Sequence, residues 1–283
     1  MGCWPAGRQS SLRSTRRRFL TVLSVLVVVG GHPFVEEAFY ESLDSLTDIV
    51  WTSSDRPLLG HDVVVFYDMP GFAFVPGDPP VRFRDPSHAD KQVLADLQST
   101  GTGMVFLHHS IAGWPTWTEY GEMIGGRFLY QPSDVRGVHF PDSGYRFDQT
   151  HEVEIVAHDH PVCAGLPSRF AITDEVYCYP VFEDSVVPLM RTTFPVEDST
   201  NFFSADLAIR GHRDRSDGWS HPPGSDLVAW ARSAGRSAIV YLQFGDGPTT
   251  YSDPKYRLVL GNAISWVGSS EARTWVTSKN SNG

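Results

Sequence analysis

Short apolar runs recur along the first half of the chain, and segments in which apolar residues have helical spacing separate them. A strand buried on both faces is apolar throughout, so the runs predict β-strands over residues 21–29, 48–52, 62–67 and 103–107. The intervening segments predict helices over residues 33–45, 87–99 and 115–124, the second with Ser87 as its N-cap. Strands that alternate with helices predict a parallel sheet with helices on both faces.

The second half of the chain is richer in strand patterns and in polar segments. Its apolar runs predict strands over residues 151–157, 171–177, 187–191, 227–231 and 237–244, and a final helix over residues 254–267. Pro, Gly and polar residues predict a flap over 71–86 and an inserted loop or lid over 193–224. The expected fold class is therefore α/β, a three-layer, doubly wound, mostly parallel sheet with extra strands and loop insertions over residues 21–269. Residues 270–283 are expected to form a disordered tail.

The first twenty residues are basic and contain no acidic residue. Arg16-Arg17-Arg18-Phe19-Leu20 and the apolar run that follows resemble a twin-arginine export signal. However, the run reaches Gly30-Gly31 without a small-residue cleavage site before the glycines, and it also fits a buried strand. We therefore expect residues 1–20 to be a disordered, dispensable leader and the protein to be cytoplasmic; export is the alternative.

The net charge of the chain is −10, although five of its 23 Lys and Arg residues lie in the leader. The rest of the chain is strongly acidic and should repel the phosphates of nucleic acids and anionic membrane surfaces. We therefore expect no nucleic-acid or membrane partner and a small neutral ligand. The three cysteines, Cys3, Cys163 and Cys178, form no CxxC pair and match no zinc or disulfide framework.

Polar residues follow four of the predicted strands. Doubly wound sheets bind ligands beyond the carboxyl ends of their strands, so these residues are candidates for one site. They are Gly31 and His32, Asp68, His108 and His109, and Gln243 and Asp246. We expect the three histidines to be catalytic as general acids or bases, and the other four residues to bind substrate. For His32 the alternative is that its side chain caps the turn.

Two further groups extend the candidate site. Trp114 and Trp117 follow the histidine pair, and their rings suit the apolar faces of sugars; alternatively, they pack the start of a helix. Asp174 and Glu175 are adjacent on a strand, where neighbours face opposite sides, so at most one should face the site. We expect Glu175 to be that residue and to be catalytic, with Tyr177 as a substrate-binding residue.

Imidazoles together with carboxylates also suit zinc or iron. The histidines that could supply ligands are His32, His108, His109, His139 and His151. No HxH or HExxH spacing supports such a site. We therefore expect no metal ion or other cofactor, and a metal site is the alternative.

An ordered set of motifs from about residue 22 to residue 267 resembles the trehalose-utilisation (ThuA-like) family. The motifs are Gly30-Gly31-His32-Pro33-Phe34, Leu107-His108-His109, Trp114-Pro115-x-Trp117-x-Glu119-Tyr120, Gly125-Gly126-Arg127-Phe128, His160-Pro161, Gly165-Leu166, Asp174-Glu175-x-Tyr177, Pro188-Leu189-x-Arg191 and Asn262-Ala263-Ile264-x-Trp266. The resemblance implies a class I glutamine amidotransferase-like (flavodoxin-like) fold. It also implies a role in carbohydrate catabolism, with 3-keto-disaccharides processed alongside an oxidoreductase.

The chain departs from these relatives at two points. The turn after Leu107 carries histidines where amidotransferases carry a cysteine nucleophile, and Ser110 belongs to no Gly-x-Ser-x-Gly motif. The late strand continues into Phe244-Gly245-Asp246-Gly247, without a histidine that the family often has there. We expect an enzyme that acts on trehalose, a related disaccharide or a 3-keto-sugar, and not on glutamine. The alternative is a non-catalytic sugar-binding or interaction protein; a partner oxidoreductase and a homo-oligomer are left open.

Overall fold

The computed structural model describes residues 22–281, so the predicted leader over residues 1–20 lies outside the described residues. The strands are β1 (Leu23–Gly30), β2 (Ile49–Ser54), β3 (Val63–Asp68), β4 (Phe72–Phe74), β5 (Val81–Phe83), β6 (Gly103–Leu107), β7 (Ser133–Val135), β8 (Val138–Phe140), β9 (Gly144–Ile155), β10 (Arg169–Cys178), β11 (Val187–Thr192), β12 (Phe203–Ser204), β13 (Leu227–Ala234) and β14 (Ser237–Leu242). The α-helices are α1 (Glu36–Asp44), α2 (His88–Thr100), α3 (Thr118–Ile124), α4 (Ala205–Ile209), α5 (Pro248–Tyr251), α6 (Pro254–Val267) and α7 (Ser270–Ser281).

The parallel half of the main sheet has the strand order β2-β1-β3-β6-β14. β3, β6, β14 and the middle of β1 are buried on both faces, as their unbroken apolar runs predict, whereas the edge strand β2 is partly exposed. One row of branched side chains crosses this half, from Val27 through Val65 and Val105 to Val240. All of these strands end at the same edge of the sheet, which is where the sequence predicts the ligand site.

The expected extra strands are present and extend the sheet antiparallel, in the order β14-β13-β11-β9-β10. β9 starts at Gly144, seven residues before the predicted start, because only its first two residues are buried before His151 and this part of the strand lacks an apolar run. In β10 the pairing shifts between Asp174 and Val176, which is a β-bulge.

Helices cover both faces of the sheet, so the three-layer α/β fold is confirmed. One face packs against α1, α6 and α7, whose buried residues include Phe39, Leu260 and Val276. The other packs against α2 and α3, for example through Leu97 and Tyr120. The predicted cap of α2 is also confirmed, because Ser87 and the third helical residue form a capping box.

The prediction of a disordered tail after Ser269 is wrong over the residues that the structure describes. Residues Ser270–Ser281 form α7, since Ala272 and Val276 lie one turn apart and are buried against the sheet. Trp275 also packs edge-on against Trp266 of α6. The low mean hydropathy of this segment hid a narrow apolar stripe.

The two predicted loop segments contain short regular elements. The flap over residues 71–86 is the β4–β5 hairpin. The polar segment over residues 193–224 contains β12, which pairs with β9, and α4, whose N-cap is Ser204. No helix within residues 22–281 is long and apolar enough to cross a membrane.

Candidate functional site

The turn after β1 brings His32 to the edge of the sheet. Gly31 has a φ of 75°, and a Cβ at this position would lie 2.2 Å from the carbonyl oxygen of Met69. Only glycine combines that backbone conformation with so close an approach. The turn therefore requires a glycine at position 31 for its backbone conformation. This requirement explains the residue without a contact to ligand.

The turn after β6 is an elbow with a histidine at its apex. His108 has a φ of 47°, a left-handed conformation that is uncommon for residues other than glycine. Two hydrogen bonds hold it: the Nδ1–H of His108 donates to the Gln243 carbonyl at 2.7 Å, and the Tyr241 hydroxyl donates to the His108 carbonyl at 3.0 Å. Gln243 thus contributes to the site through its backbone. Cys163 and Cys178 are buried away from this elbow.

The Nε2 atom of His108 faces two carboxylates and a phenol. It lies 3.1 Å from Oε2 of Glu175, 3.5 Å from Oδ1 of Asp246 and 2.9 Å from the hydroxyl of Tyr177. Burial lowers the pKa of His108, but the hydrogen bonds and charges of the two carboxylates outweigh burial, so this pKa lies well above its usual value. The elbow therefore holds a histidine and two acids as one coupled group.

Asp174 was not among the predicted site residues, yet it orders this group. Its carboxylate accepts hydrogen bonds from the backbone N–H groups of Gly245 and Asp246, at 2.7 and 2.9 Å. Burial raises the pKa of Asp174 to about 6. The two adjacent acids lie beside the β-bulge of β10, and their side chains contact different groups. Glu175 faces His108, while Asp174 anchors the loop that carries Asp246.

His32 and His109 form a second pair at the same edge of the sheet. Their rings stack with centroids 4.4 Å apart. The Nε2–H of His109 donates to the Tyr67 carbonyl at 3.2 Å, while the buried Nδ1 atoms of both histidines lack hydrogen-bond partners among the described residues. Burial, reinforced by the neighbouring imidazoles, lowers the pKa of both rings, that of His109 strongly. Both imidazoles are therefore neutral near pH 7, and each has a nitrogen free to accept a proton.

His32 and His109 line a cleft of about 360 Å³, and Glu175 and Tyr177 are also part of its lining. Its walls are largely aromatic and apolar; the aromatic side chains are Phe72, Phe128, Tyr130 and Tyr145. The guanidinium-bearing residue in the lining is Arg213, from the segment after α4. A separate cavity of about 410 Å³ around Phe182 and His221 contains no predicted site residue.

Of the predicted binding residues, Tyr177 belongs to the lining of this cleft, whereas Gly31, Gln243 and Asp246 do not, and neither does His108. Three further predicted binding residues lie elsewhere. Asp68 and Trp114 line a separate pocket of about 110 Å³, because Asp68 projects from β3 on the same face as Phe66, towards α2 and α3. Trp117 packs beside Tyr120, and the ammonium group of Lys91 lies over its ring. Both tryptophans therefore pack around the start of α3, the alternative stated for them above.

The other histidines considered as metal ligands are also remote from the cleft. His139 pairs with Asp134 at the surface, at 2.8 Å. His151 is buried on β9, where its Nδ1 lies 2.7 Å from the hydroxyl of Thr192. Among residues 22–281, the cluster that could hold a metal ion is His108 with Glu175 and Asp246.

The burial of Asp68 predicts a pH-dependent stability. Burial raises the pKa of Asp68 to about 7, from an ordinary aspartate pKa of 3.8. Its Oδ1 atom has no partner among the described residues. The carboxyl is neutral in both states below pH 4, whereas between pH 4 and 7 only the unfolded chain ionises. The free energy of unfolding should therefore fall over that range.

We expect Asp68→Asn to remove this loss. Three pKa units correspond to about 4 kcal/mol, so the variant should be more stable than the parent by about 2–4 kcal/mol at pH 8 and nearly equal to it at pH 4. Urea unfolding at both pH values measures the difference. An equal effect at pH 4 and pH 8 would contradict the assignment.

One family model and several solved structures are similar to this chain. The family model for ThuA, described as trehalose utilisation, matches residues 49–267, whereas no curated protein matches the chain. A ThuA-like protein from Parabacteroides merdae shares 12% identity over 88% of this chain and 91% of its own, with a TM-score of 0.61. A ThuA-like protein from Bacteroides uniformis shares 18% identity over 94% and 95%, with a TM-score of 0.60.

A third structure, the cytoplasmic protein STM3548 from Salmonella typhimurium, shares 11% identity over 87% of this chain and 98% of its own, with a TM-score of 0.51. Identities this low indicate a common fold and nothing about activity. The family model itself matches more than half of the chain, and it includes the elbow, the bulge in β10 and the loop with Asp246. The chain belongs to the ThuA family of trehalose-utilisation proteins.

Proposed function

We propose that this protein acts on a disaccharide that carries a ketone, such as a 3-keto-disaccharide, by acid–base chemistry in the cleft. The observation that carries the proposal is the meeting of two neutral, unpartnered imidazole nitrogens with the Glu175 carboxylate on the wall of an aromatic cleft. Family membership supports a carbohydrate as the substrate class.

The shape and composition of the cleft suit a sugar. Aromatic side chains on its walls offer flat apolar faces to the C–H faces of pyranose rings. The lining also carries polar groups, namely the stacked His32 and His109 together with Glu175 and Tyr177. A disaccharide could therefore place one ring against an aromatic side chain and the reacting carbon beside the histidines.

A ketone at C3 of a sugar makes the hydrogen on C2 acidic. We assign removal of that proton to Nδ1 of His109, because Nε2 is committed to the Tyr67 carbonyl and Nδ1 has no partner. The electron pair of the C–H bond moves onto the C3 oxygen and gives an enolate. When the C3 ketone re-forms, a double bond forms between C1 and C2 and the C1–O bond breaks. The alkoxide that leaves C1 takes up a proton. This sequence cleaves the glycosidic bond without a cysteine nucleophile and without glutamine.

The competing function is a non-catalytic sugar-binding protein. It is favoured by the aromatic walls and by the absence of a cysteine from the elbow. The arrangement at the elbow argues against it, because carboxylate oxygens of Glu175 and Asp246 both lie within 3.5 Å of His108 Nε2. A binding site has no need to hold two acids against a buried histidine. The ketone itself requires a separate oxidoreductase, which we propose as the functional partner.

Incubation with trehalose and with its 3-keto derivative in D₂O tests the proposal. We expect no change in trehalose, and we expect deuterium incorporation at C2 or cleavage of the keto-sugar, both read by mass spectrometry. Glutamine serves as a control substrate, from which no ammonia should be released. Saturable binding of the keto-sugar without exchange or cleavage would favour the binding protein.

A further inference from the structure

We infer that His108, Glu175 and Asp246 form a binding site for one divalent transition-metal ion of the Zn²⁺ or Mn²⁺ type. The inference rests on the proposed function and deepens it, since Glu175 belongs both to this cluster and to the lining of the cleft. The sequence led us to expect no metal ion, and we now propose one. Of the five histidines considered as metal ligands from the sequence, only His108 belongs to this cluster.

The separations between the candidate ligand atoms match those imposed by a single ion. An ion bound at about 2.0–2.2 Å to each ligand holds neighbouring ligand atoms roughly 3.0–3.5 Å apart. Nε2 of His108 lies 3.1 Å from Oε2 of Glu175 and 3.5 Å from Oδ1 of Asp246. The three ligand atoms all lie within 4.8 Å of one another, so small side-chain rotations would complete the set.

Groups behind the ligands fix them in the orientation that a metal requires. His108 donates its Nδ1–H to the Gln243 carbonyl, so that Nε2, once an incoming ion displaces its proton, would direct its lone pair towards the two carboxylates. Such a backbone partner on the second ring nitrogen accompanies most histidine ligands of metals. Asp174 holds the backbone of Asp246 through a hydrogen bond. The ligands are therefore positioned before any ion arrives.

The charge of the cluster also favours a divalent cation. The side chains of His108, Glu175 and Asp246 are 1%, 14% and 34% exposed, so two carboxylates approach each other largely out of water. A single proton on His108 compensates one negative charge, whereas a divalent ion compensates both. A mixed set of one imidazole and two carboxylates is suited to Zn²⁺, Mn²⁺ or Fe²⁺ more than to Ca²⁺.

Three protein ligands would leave coordination positions open towards the cleft, as catalytic metal sites do. The ring of His109, which lines the cleft, lies 5.5 Å from that of His108, and its Nδ1 atom has no partner among the described residues. A ketone oxygen bound to the ion would be polarised, and the adjacent C–H could face this neutral base. The site would then combine an electrophile and a base.

Metal titration of the full chain tests the inference in the absence of sugar. After treatment with EDTA and dialysis, we expect one Zn²⁺ or Mn²⁺ to bind per chain by calorimetry, with a rise in melting temperature. Asp246→Asn should weaken binding on the order of 100-fold, because a ligand is lost. His108→Asn should do the same and still fold, since asparagine tolerates the left-handed backbone and its amide can replace Nδ1–H. His139→Asn, in the surface pair with Asp134, is the matched control and should bind as the parent does.

Two results would overturn the inference: no saturable binding to the folded parent, or equal binding by the parent, Asp246→Asn and His108→Asn. These outcomes are separable from the fate of the proposed function. Conversion of the keto-sugar by a protein that binds no metal would retain the function and reject the metal site. Stoichiometric metal binding that depends on Asp246, with no effect on any keto-sugar, would retain the metal site and reject the function.

Discussion

Replacement of His109 by glutamine is expected to reduce turnover of the keto-sugar by about 10²–10⁴-fold, the usual contribution of a general acid or base, with little change in melting temperature. The two nitrogens of His109 have separate tasks. Nε2 holds the Tyr67 carbonyl, while Nδ1 is buried without a partner. A glutamine amide reaches about as far as Nε2, so His109→Gln preserves the structural bond and removes only the base.

A second substitution at the same position provides the comparison. His109→Asn places an amide near the Nδ1 position and loses the bond to Tyr67, so it should lower both turnover and melting temperature. His151→Asn is a matched control, because His151 is equally buried and bonds to Thr192 through Nδ1, yet lies outside the cleft. Normal turnover by His109→Gln, together with a lower melting temperature for His109→Asn, would leave His109 with a structural role alone.

The sequence identifies the edge of the sheet that carries the candidate site, because apolar runs indicate where strands end. β6 is predicted with its observed bounds, and its last residue, Leu107, fixes where His108 and His109 begin. β1, β3 and β14 end within two residues of their predicted ends. Since parallel strands terminate at one edge, these local patterns suffice to bring His32 and the histidine pair together.

The sequence does not reveal which way the side chains of the site point. Asp68 ends a strand like the others, but strand alternation turns it towards α2, away from the histidines. Asp174 and Glu175 lie beside a bulge, which depends on the pairing of β10 with β9. The aromatic wall combines Phe72 of β4 and Tyr145 of β9 with Phe128 and Tyr130, which follow α3. Such long-range contacts have no local signal.

The outcome for the late strand shows the limit of a family pattern. Asp246 occupies the segment where relatives often have a histidine, and the sequence alone gives it no partner. In the structure it lies 3.5 Å from His108 Nε2, and burial of the carboxylate is outweighed by His108, which lowers the pKa of Asp246. An acid therefore takes part in the group at this position. Its role follows from the contacts of this chain and not from those of the relatives.

A chain that begins at Gly31 is expected not to fold, whereas a chain that begins at Leu20 should fold normally. β1 lies between β2 and β3 in the parallel half of the sheet, so its loss would detach β2 and expose the edge of β3. Four consecutive side chains of β1, from Val25 to Val28, are at most 1% exposed. At roughly 1.5–3 kcal/mol each, their burial contributes about as much as the whole stability of a typical domain, ~5–15 kcal/mol.

Circular dichroism and thermal melting of the two truncated chains measure this effect. The matched pair differs only in residues 20–30, so loss of structure in the shorter chain alone assigns the stability to β1. It would also mean that the apolar run cannot be the removed part of an export signal, since the mature protein would lack the strand that lies between β2 and β3. A protein that starts at Gly31 and still melts cooperatively would reverse that conclusion and favour export. The sheet would then be able to form without β1 between β2 and β3.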